Sequence, residues 1–485
     1  MLLFAVFSMA LGLAVASCSS NDNSTDNDGV TPVTPGQDWS KNQAKYTIIF
    51  YGCGGGNLDD WLENAIPNIA KALNVTNNQV RFTVMFNTSK DASYFTNHKM
   101  EVPDLISDWA TCYRYELTPQ IDITKSGYRT KYKYKNASEV PLYKTATLVE
   151  YINWVKQNAP AENYILMPMN HGGGTDISEE VTRAIGYDDN HLTPDKKAYY
   201  GIGDRAIADA LKQTNTHLKA IYWCGCLMGQ LEVMTQLAPY CDYQFCSSHV
   251  SRAIGSLFYD IINAINQEPN DFEKAAMIDW QYKKATYNEF FLDVENENNQ
   301  GTHNENCDWG CWRSNKLADI NAQVKKLATL LCDNYNVEIK MPQIDNATAH
   351  TYSFEYDSYF ADVLDFAVNL AERLDEGQNA TAKQIVTDME TALNAAKVYR
   401  LDGVNIVNNK GVKVAPKKGF YSLGISIYSY SDTVWEKYAV NYKATDFDKA
   451  TGWSKFLDMN TVGIIRGDTN PANNSTWDLG YLEVD

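Results

Sequence analysis

The sequence of 485 residues is poor in positive charge and in long apolar runs. Lys and Arg number 42 against 60 Asp and Glu, which gives a formal net charge of −18. Nucleic-acid binding requires a basic face that displaces counterions from phosphates, and electrostatic docking on anionic lipid has the same requirement. We therefore expect no nucleic-acid partner and no electrostatic membrane contact. The one long apolar run is too short to span a bilayer comfortably, which excludes a polytopic membrane protein.

That apolar run covers residues 2–17 and ends in Ser17-Cys18. Its length is typical of a secretory signal, and small residues followed by Cys resemble a bacterial lipobox, in which Cys18 becomes the lipidated first residue. A plain signal peptide with an incidental cysteine is the alternative. Residues 18–43 are polar and acidic and predict a flexible tether, which resembles the surface-export signal of lipoproteins from Bacteroides-like bacteria. We expect an exported outer-membrane lipoprotein, facing the cell surface or the periplasm, that contacts the membrane only through the lipid at Cys18.

Strand-like and helix-like segments alternate along the chain, which predicts an α/β fold with a mostly parallel central sheet and helices on both faces. In such sheets the chemistry lies beyond the carboxyl ends of the strands, so the loops after the strands are the places to search. The predicted strands cover 46–51, 80–86, 164–169, 218–223, 243–246 and 419–429. The predicted helices cover 58–73, 146–157, 203–212, 228–237, 317–331, 361–374 and 380–396.

Composition divides the folded part into three regions. Residues 44–285 carry the alternating pattern and predict the core, with an inserted hairpin or loops at 88–145. Residues 286–345 are polar, and we expect a surface excursion there. Residues 346–485 predict a helical and mixed C-terminal region that packs on the core. We expect a monomer.

Two side chains suited to acyl transfer follow predicted strands. His171 opens the sequence His-Gly-Gly-Gly after the strand at 164–169, and glycines there leave backbone N–H groups open to a ligand. Cys226 lies between the strand at 218–223 and the helix at 228–237, where a helix dipole stabilises a thiolate. A base and a thiol at one sheet edge form the nucleophilic pair of a cysteine hydrolase. A structural histidine and a buried structural cysteine are the alternatives for each residue taken alone.

The segments YILMPMNHGGG at 164–174 and AIYWCGCLMGQLEV at 220–233 resemble the clostripain (C11) family of cysteine peptidases. The resemblance covers about 45–270 and, more loosely, 350–460. It implies a caspase-like fold, a protein or peptide substrate, His171 as the catalytic histidine and Cys226 as the nucleophile. It also implies an oxyanion hole built from the backbone N–H groups of Gly172 or Gly173 and of Cys226. No cofactor is required for this chemistry.

The region around the nucleophile departs from the family pattern. The family usually has an acidic residue two positions before the nucleophile, which contributes to a negative pocket for Arg or Lys, whereas this sequence has Cys224. The next strand end offers His249 and Arg252 and no acid. Burying a cationic side chain without a carboxylate is costly, so we expect strict Arg/Lys specificity to be weakened or lost. The same departure supports the alternative of a catalytically inactive, surface-anchored binding lipoprotein on this scaffold.

Two further hypotheses concern activation and metal. Members of the family are often activated by cleavage between the His and the Cys, and the bond between Arg183 and Ala184 lies in that interval. Asp188 and Asp189 lie in a predicted Gly-Tyr-Asp-Asp turn. They are either structural or a calcium site, because some relatives use calcium. No metal is expected at the catalytic pair itself.

The sequence contains ten cysteines, and eight remain after Cys18 and Cys226 are assigned to lipidation and catalysis. Export permits disulfides, and the pairs Cys241 with Cys246 and Cys307 with Cys311 are close enough in sequence to form locally. Eight cysteines allow too many connectivities for any to be assigned. We expect Cys224 to stay reduced beside the nucleophile.

Overall fold

The computed structural model describes part of the chain. The described residues are 39, 43–54, 58–89, 110–121, 123, 128–175, 185–192, 199–248, 259–292, 309–334, 360–401, 423–427 and 432–465. The strands are β1 (Ala44–Gly52), β2 (Val80–Asn87), β3 (Thr111–Leu117), β4 (Lys133–Asn136), β5 (Ala161–Met169), β6 (Ile185–Leu192), β7 (Tyr199–Ile202), β8 (Leu218–Tyr222), β9 (Cys241–Cys246), β10 (Trp309–Arg313), β11 (Phe360–Asp362), β12 (Lys397–Leu401) and β13 (Gly424–Ser426). The α-helices are α1 (Asp59–Leu73), α2 (Thr145–Asn158), α3 (Asp204–Gln213), α4 (Leu231–Leu237), α5 (Asp260–Gln267), α6 (Phe272–Leu292), α7 (Leu317–Asn334), α8 (Val363–Arg373), α9 (Glu376–Ala396), α10 (Asp432–Lys443), α11 (Asp446–Thr451) and α12 (Ser454–Ile465).

In the described ranges, nine strands form one sheet in the order β12-β10-β9-β8-β5-β1-β2-β3-β4. The five central strands β9, β8, β5, β1 and β2 run parallel to one another. The edges are antiparallel, with β3 and β4 on one side and β10 and β12 on the other. Two small antiparallel pairs, β6 with β7 and β11 with β13, lie outside this sheet. The predicted α/β architecture with a mostly parallel central sheet is confirmed.

Helices cover both faces of the sheet because the central strands are apolar on both sides. Along β1, Ile49 and Tyr51 belong to one core cluster, whereas Ile48 and Phe50 belong to the other. This alternation is what a strand buried on both faces requires. The first core contains residues of α2, α3, α4 and α7 to α12, and the second contains residues of α1, α5 and α6. In the part of the chain that the structure describes, no helix combines the length and the apolar character needed to cross a membrane.

The predicted division of the chain at residue 285 is wrong. Strand β10 pairs with β9, and β12 pairs with β10, so the sheet continues beyond that residue. Within the region 286–345, Trp309, Cys311 and Trp312 of β10 are buried, and α7 packs its apolar face into the core. The described part of this region is therefore core and not a surface excursion. The sequence obscured this because the strand WGCWR is short and polar segments flank it.

Smaller differences concern segment boundaries. The expected hairpin or loops at 88–145 contain β3 and β4, which extend the sheet at one edge. The expected Gly-Tyr-Asp-Asp turn is the interior of strand β6. The helix expected at 228–237 begins only at Leu231, because residues 224–230 form the irregular segment that carries the nucleophile candidate.

Candidate active site

The two candidate catalytic residues follow adjacent parallel strands. In β5 and β8, Ile165 is paired with Ala220 and Leu166 with Ile221. The pairing continues past the strand ends through a bridge between Met169 and Cys224. The backbone N–H of Cys224 donates to the carbonyl oxygen of Pro168 at 3.0 Å, and that of Asn170 donates to the carbonyl oxygen of Cys224 at 3.3 Å. The two chain segments therefore leave the sheet side by side, one toward His171 and the other toward Cys226.

The backbone of Gly172 lies directly against the backbone of Cys226. A Cβ atom added to Gly172 would lie 1.9 Å from the carbonyl oxygen and 2.6 Å from the nitrogen of Cys226. Real Cβ atoms do not approach backbone atoms this closely, so only glycine fits here. The residue after His171 is therefore in backbone contact with Cys226, the candidate nucleophile.

His171 is half-buried, and burial lowers the pKa of its imidazole below the ordinary value. The ring is therefore neutral at neutral pH and able to accept a proton. Asn170 fixes the backbone at this point. Its side-chain Nδ2 donates to the carbonyl oxygen of Cys53 after β1, and its Oδ1 accepts the N–H of His171. Asn170 was not predicted as a positioning residue, although an amide between a buried strand end and a histidine is a pattern that could have indicated it.

Cys226 is partly exposed and precedes a strained residue. Leu227 has a φ of 60°, in the left-handed region that costs a non-glycine residue about 1 kcal/mol or more. Met228 is fully buried, and the N–H of Gly229 donates to the carbonyl oxygen of Ser247 at 2.8 Å. The anchored residues after Leu227 hold the backbone in a sharp turn that presents Cys226 at the sheet edge.

Strand β6 lies across the two segments. Ile185 forms an antiparallel bridge with Gly172, and its side chain lies against Gly225. Further along β6, the carboxylate of Asp188 is fully buried and accepts the backbone N–H of Leu142 at 3.2 Å. Nδ1 of His191 lies 2.8 Å from the same carboxylate, and Nε2 lies 3.1 Å from the carbonyl oxygen of Ser138. Both nitrogens face oxygen atoms, and the hydrogen bond to Asp188 raises the pKa of His191, while burial raises the pKa of the Asp188 carboxyl.

The carboxylate of Asp188, one of the two possible calcium ligands, is bonded by protein donors. Its oxygens also accept the backbone N–H of Asn190 at 3.2 Å, so both face protein donors and not a space for a cation. The side chain of Asp189 lies outside the described residues. Within the described ranges, no group of three or more His, Cys, Asp or Glu could hold a metal ion.

Cys224 is buried and points away from solvent, into the core shared with α5 and α6. Burial raises the pKa of its thiol well above the ordinary value, so Cys224 is neutral. The other predicted pocket residues, His249 and Arg252, lie outside the described residues, as do Arg183, Ala184 and Cys18. Gly173 is partly exposed next to Gly172.

The local disulfide that sequence proximity allowed between Cys241 and Cys246 does not form. Both cysteines are free and lie on β9, about 16 Å apart along an extended strand, whereas a disulfide needs Cα atoms within about 7 Å. Cys311 is also free, and Cys307 lies outside the described residues.

The sequence model of the clostripain family matches residues 51–459, most of the chain. The chain belongs to the clostripain family. It is therefore a cysteine peptidase, with the caspase-like fold of that family. Clostripain from Hathewaya histolytica is 22% identical over 484 residues, which cover 92% of this chain and 85% of that protein.

Solved clostripain-family structures share the fold at low sequence identity. An inactive zymogen C11 protease from Parabacteroides distasonis superposes with a TM-score of 0.56 at 16% identity, covering 84% of this chain and 98% of that one. A secreted C11 cysteine protease from Bacteroides thetaiotaomicron, in complex with an irreversible peptide inhibitor, gives 0.55 at 14% identity, with 84% and 99% coverage.

Proposed function

We propose that this clostripain-family protein is an endopeptidase in which Cys226 is the nucleophile and His171 the proton-transfer residue. The backbone contact between Gly172 and Cys226 carries this proposal, because it fixes both loops at one sheet edge. The Cys226 thiolate attacks the scissile carbonyl carbon, and the protonated His171 imidazole then donates its proton to the leaving amine. The backbone N–H groups of Cys226 and of Gly172 or Gly173 stabilise the oxyanion.

The lowered pKa of His171 supports its role as the residue that accepts and donates the proton. A neutral imidazole can take the proton of the thiol when Cys226 ionises, whereas an imidazolium cannot. Activity should therefore fall on the acid side as His171 becomes protonated, with a midpoint below the ordinary histidine value of 6.5. A kcat/KM profile whose acid limb is unchanged when His171 is replaced by Gln would contradict this role.

Covalent labelling of the thiol tests the nucleophile. An acyloxymethyl ketone with a short peptide should label the protein once, and Cys226→Ala should abolish both the label and peptide cleavage. Cys224→Ala is the matched control. The Cys224 thiol is buried and should not react, so this variant should still be labelled once, at Cys226. A protein that folds and binds peptides but takes no label would favour the inactive binding lipoprotein.

We propose that a basic side chain at the cleavage point is not required. Cys224 is neutral and buried where family members usually carry an acid, so a cation there would lack a carboxylate. A library of fluorogenic peptides that differ only before the cut should show neutral residues cleaved at least as fast as Arg. A profile restricted to Arg and Lys would refute the proposal.

We further propose activation by cleavage between Arg183 and Ala184. Arg183 lies two residues before Ile185, which contacts both Gly172 and Gly225, so a cut after Arg183 acts next to the active site. Mass spectrometry should find two fragments in the active protein, and Arg183→Ala should leave it intact and less active. Full activity from an intact chain would exclude this step.

We propose that the protein is exported and held at the outer membrane, as a monomer, by lipid on Cys18. The apolar run at 2–17 and the tether at 18–43 support this location, and the C11 protease from Bacteroides thetaiotaomicron that shares the fold is a secreted protein. Cys18→Ser should move the protein from the membrane fraction to the soluble fraction. Retention of the variant in membranes would argue against the anchor.

We propose that hydrolysis requires no metal. The catalytic chemistry uses a thiol and an imidazole, and the Asp188 carboxylate is already bonded by protein donors. Dialysis against EDTA should leave kcat/KM unchanged, and added calcium should not raise it.

A further inference from the structure

A lysine is buried with two aspartates beneath the strand that carries the nucleophile. The Lys283 side chain on α6 is 1% exposed, and its Nζ lies 2.9 Å from Oδ1 of Asp279 and 3.8 Å from Oδ2 of Asp260. Its Nζ also lies 5.2 Å from the ring centroid of Tyr222 and 5.5 Å from that of Trp309. The other oxygen of Asp279 accepts the hydroxyl of Tyr399 at 2.7 Å.

This cluster lies on the face of the sheet toward which Cys224 points. Tyr222 and Cys224 belong to the same core cluster as Ile261 of α5 and Ala275 of α6. Cys224 is two residues before Cys226 and is buried on the face of the sheet that carries the lysine and the two aspartates. The Lys283 ammonium is near enough to the Cys224 thiol to oppose the rise of its pKa that burial causes.

We propose that Lys283 fills, from within the protein, an acidic pocket formed by Asp260 and Asp279 beneath Cys224, and so makes the peptidase select a neutral side chain on the acyl side of the cleaved bond. This inference rests on the proposed endopeptidase function. Lys283 already pairs with Asp279, and burial raises the pKa of Asp260 to about 7, so a second cation from a substrate would be desolvated without a carboxylate of its own. A neutral side chain carries no such penalty.

Removing the Lys283 side chain from the proposed pocket tests the inference. Lys283→Ala removes the internal cation and leaves two carboxyl groups, of which Asp260 is readily neutralised because burial raises its pKa to about 7. We expect the kcat/KM ratio for an Arg peptide over a matched norleucine peptide to rise about 10-fold or more. Lys274→Ala is the matched control, because Lys274 is an exposed lysine on the same helix. It should leave the ratio unchanged.

A binding measurement is independent of activity. Butylammonium chloride should raise the melting temperature of Lys283→Ala and not that of the wild type, and butanol should stabilise neither. Should the wild type cleave no peptide, the endopeptidase proposal fails, while this measurement still decides whether Lys283 fills a cation pocket.

A second pair of variants applies if Lys283→Ala does not fold. Cys224→Asp alone should not raise the kcat/KM ratio for Arg over norleucine, because Lys283 would pair with the introduced carboxylate. The double variant Cys224→Asp with Lys283→Met should raise that ratio, because methionine fills the lysine volume without its charge. Equal gains from the single and double variants would overturn the inference. A folded Lys283→Ala protein with an unchanged ratio and no response to butylammonium would do the same.

Discussion

Two buried charge clusters lie near the active site, and they satisfy their charges differently. The Asp188 cluster, on the strand that contacts Gly172, uses two backbone N–H groups and His191. The side chain of His191 is 17% exposed and can release its proton to water. The Lys283 cluster, beneath Cys224, is closed, and its side chains are at most 6% exposed.

This difference in partners indicates that the Asp188 cluster is a structural attachment, whereas the Lys283 cluster is a pocket that the protein fills with its own side chain. The donors to Asp188 include backbone N–H groups, which no ligand can replace. Through the N–H of Leu142, this cluster holds β6 against the segment before α2. In the Lys283 cluster every charge belongs to a side chain, and a ligand of the same charge could replace the lysine. We infer that the first cluster maintains the site and the second determines what it accepts.

The largest expected effect comes from the contact between the two catalytic loops. Gly172→Ala forces a Cβ against the backbone of Cys226, which must shift, and displacements near 1 Å cost about 100-fold in rate. Gly377→Ala on α9 is the control, because a Cβ there meets open space. It should retain full kcat/KM. A Gly172→Ala enzyme with wild-type activity would mean that the described contact is not the catalytic arrangement.

Removing one acid from each cluster compares their energetics. Asp279→Ala leaves Lys283 buried without its close partner and should lower the free energy of unfolding by about 3–5 kcal/mol. Asp188→Ala should lower it by only about 1–3 kcal/mol, because His191 can lose its proton and reach water. Urea unfolding of both variants measures the two losses. Similar losses would remove the distinction between the clusters.

The pH dependence of stability should separate Asp260 of one cluster from His191 of the other by the window in which each titrates. Asp260 has its pKa raised from 3.8 to about 7, so the folded state holds this proton more tightly, and stability falls as pH rises between those values. The pKa of His191 is raised from 6.5 in the folded state. The stability that protonated His191 contributes is therefore fully present below pH 6.5 and is lost as the pH rises through the pKa of His191 in the folded protein.

Melting temperatures across pH test these windows. Asp260→Asn should flatten the profile between about pH 4 and 7, and His191→Asn should flatten it only above about pH 6.5. A profile that either variant flattens in the other's window would show that the assigned groups are wrong.

The smallest effect is expected at an exposed ion pair away from both clusters. Lys326 on α7 lies 3.2 Å from Asp388 on α9, and their side chains are 54% and 34% exposed. Lys326→Ala should change the free energy of unfolding by less than about 1 kcal/mol in the urea experiment, because water and salt screen the pair. A larger loss would mean that surface charge contributes as much as the buried clusters.

Much of the parallel sheet was predictable from local patterns. The strands ending at Gly52, Asn87, Met169 and Tyr222 are apolar and β-branched, and both their type and position follow from that. Strands β10 and β12 were not predicted, because short antiparallel edge strands gain their stability from neighbours distant in sequence. The start of α4 was misplaced for a related reason, since the strained turn at Leu227 depends on packing that no propensity records.

The amino-acid sequence by itself determined which residues could perform the chemistry. A histidine followed by glycines and a thiol before a helix are chemical identities, and the chain carries them whatever its fold. Only the tertiary structure decided that Gly172 meets Cys226, that Asn170 ties His171 to β1, and that Lys283 lies with two acids beneath Cys224. These contacts join residues from separate elements, and contacts across such distances depend on sheet order and helix packing, which no local pattern encodes.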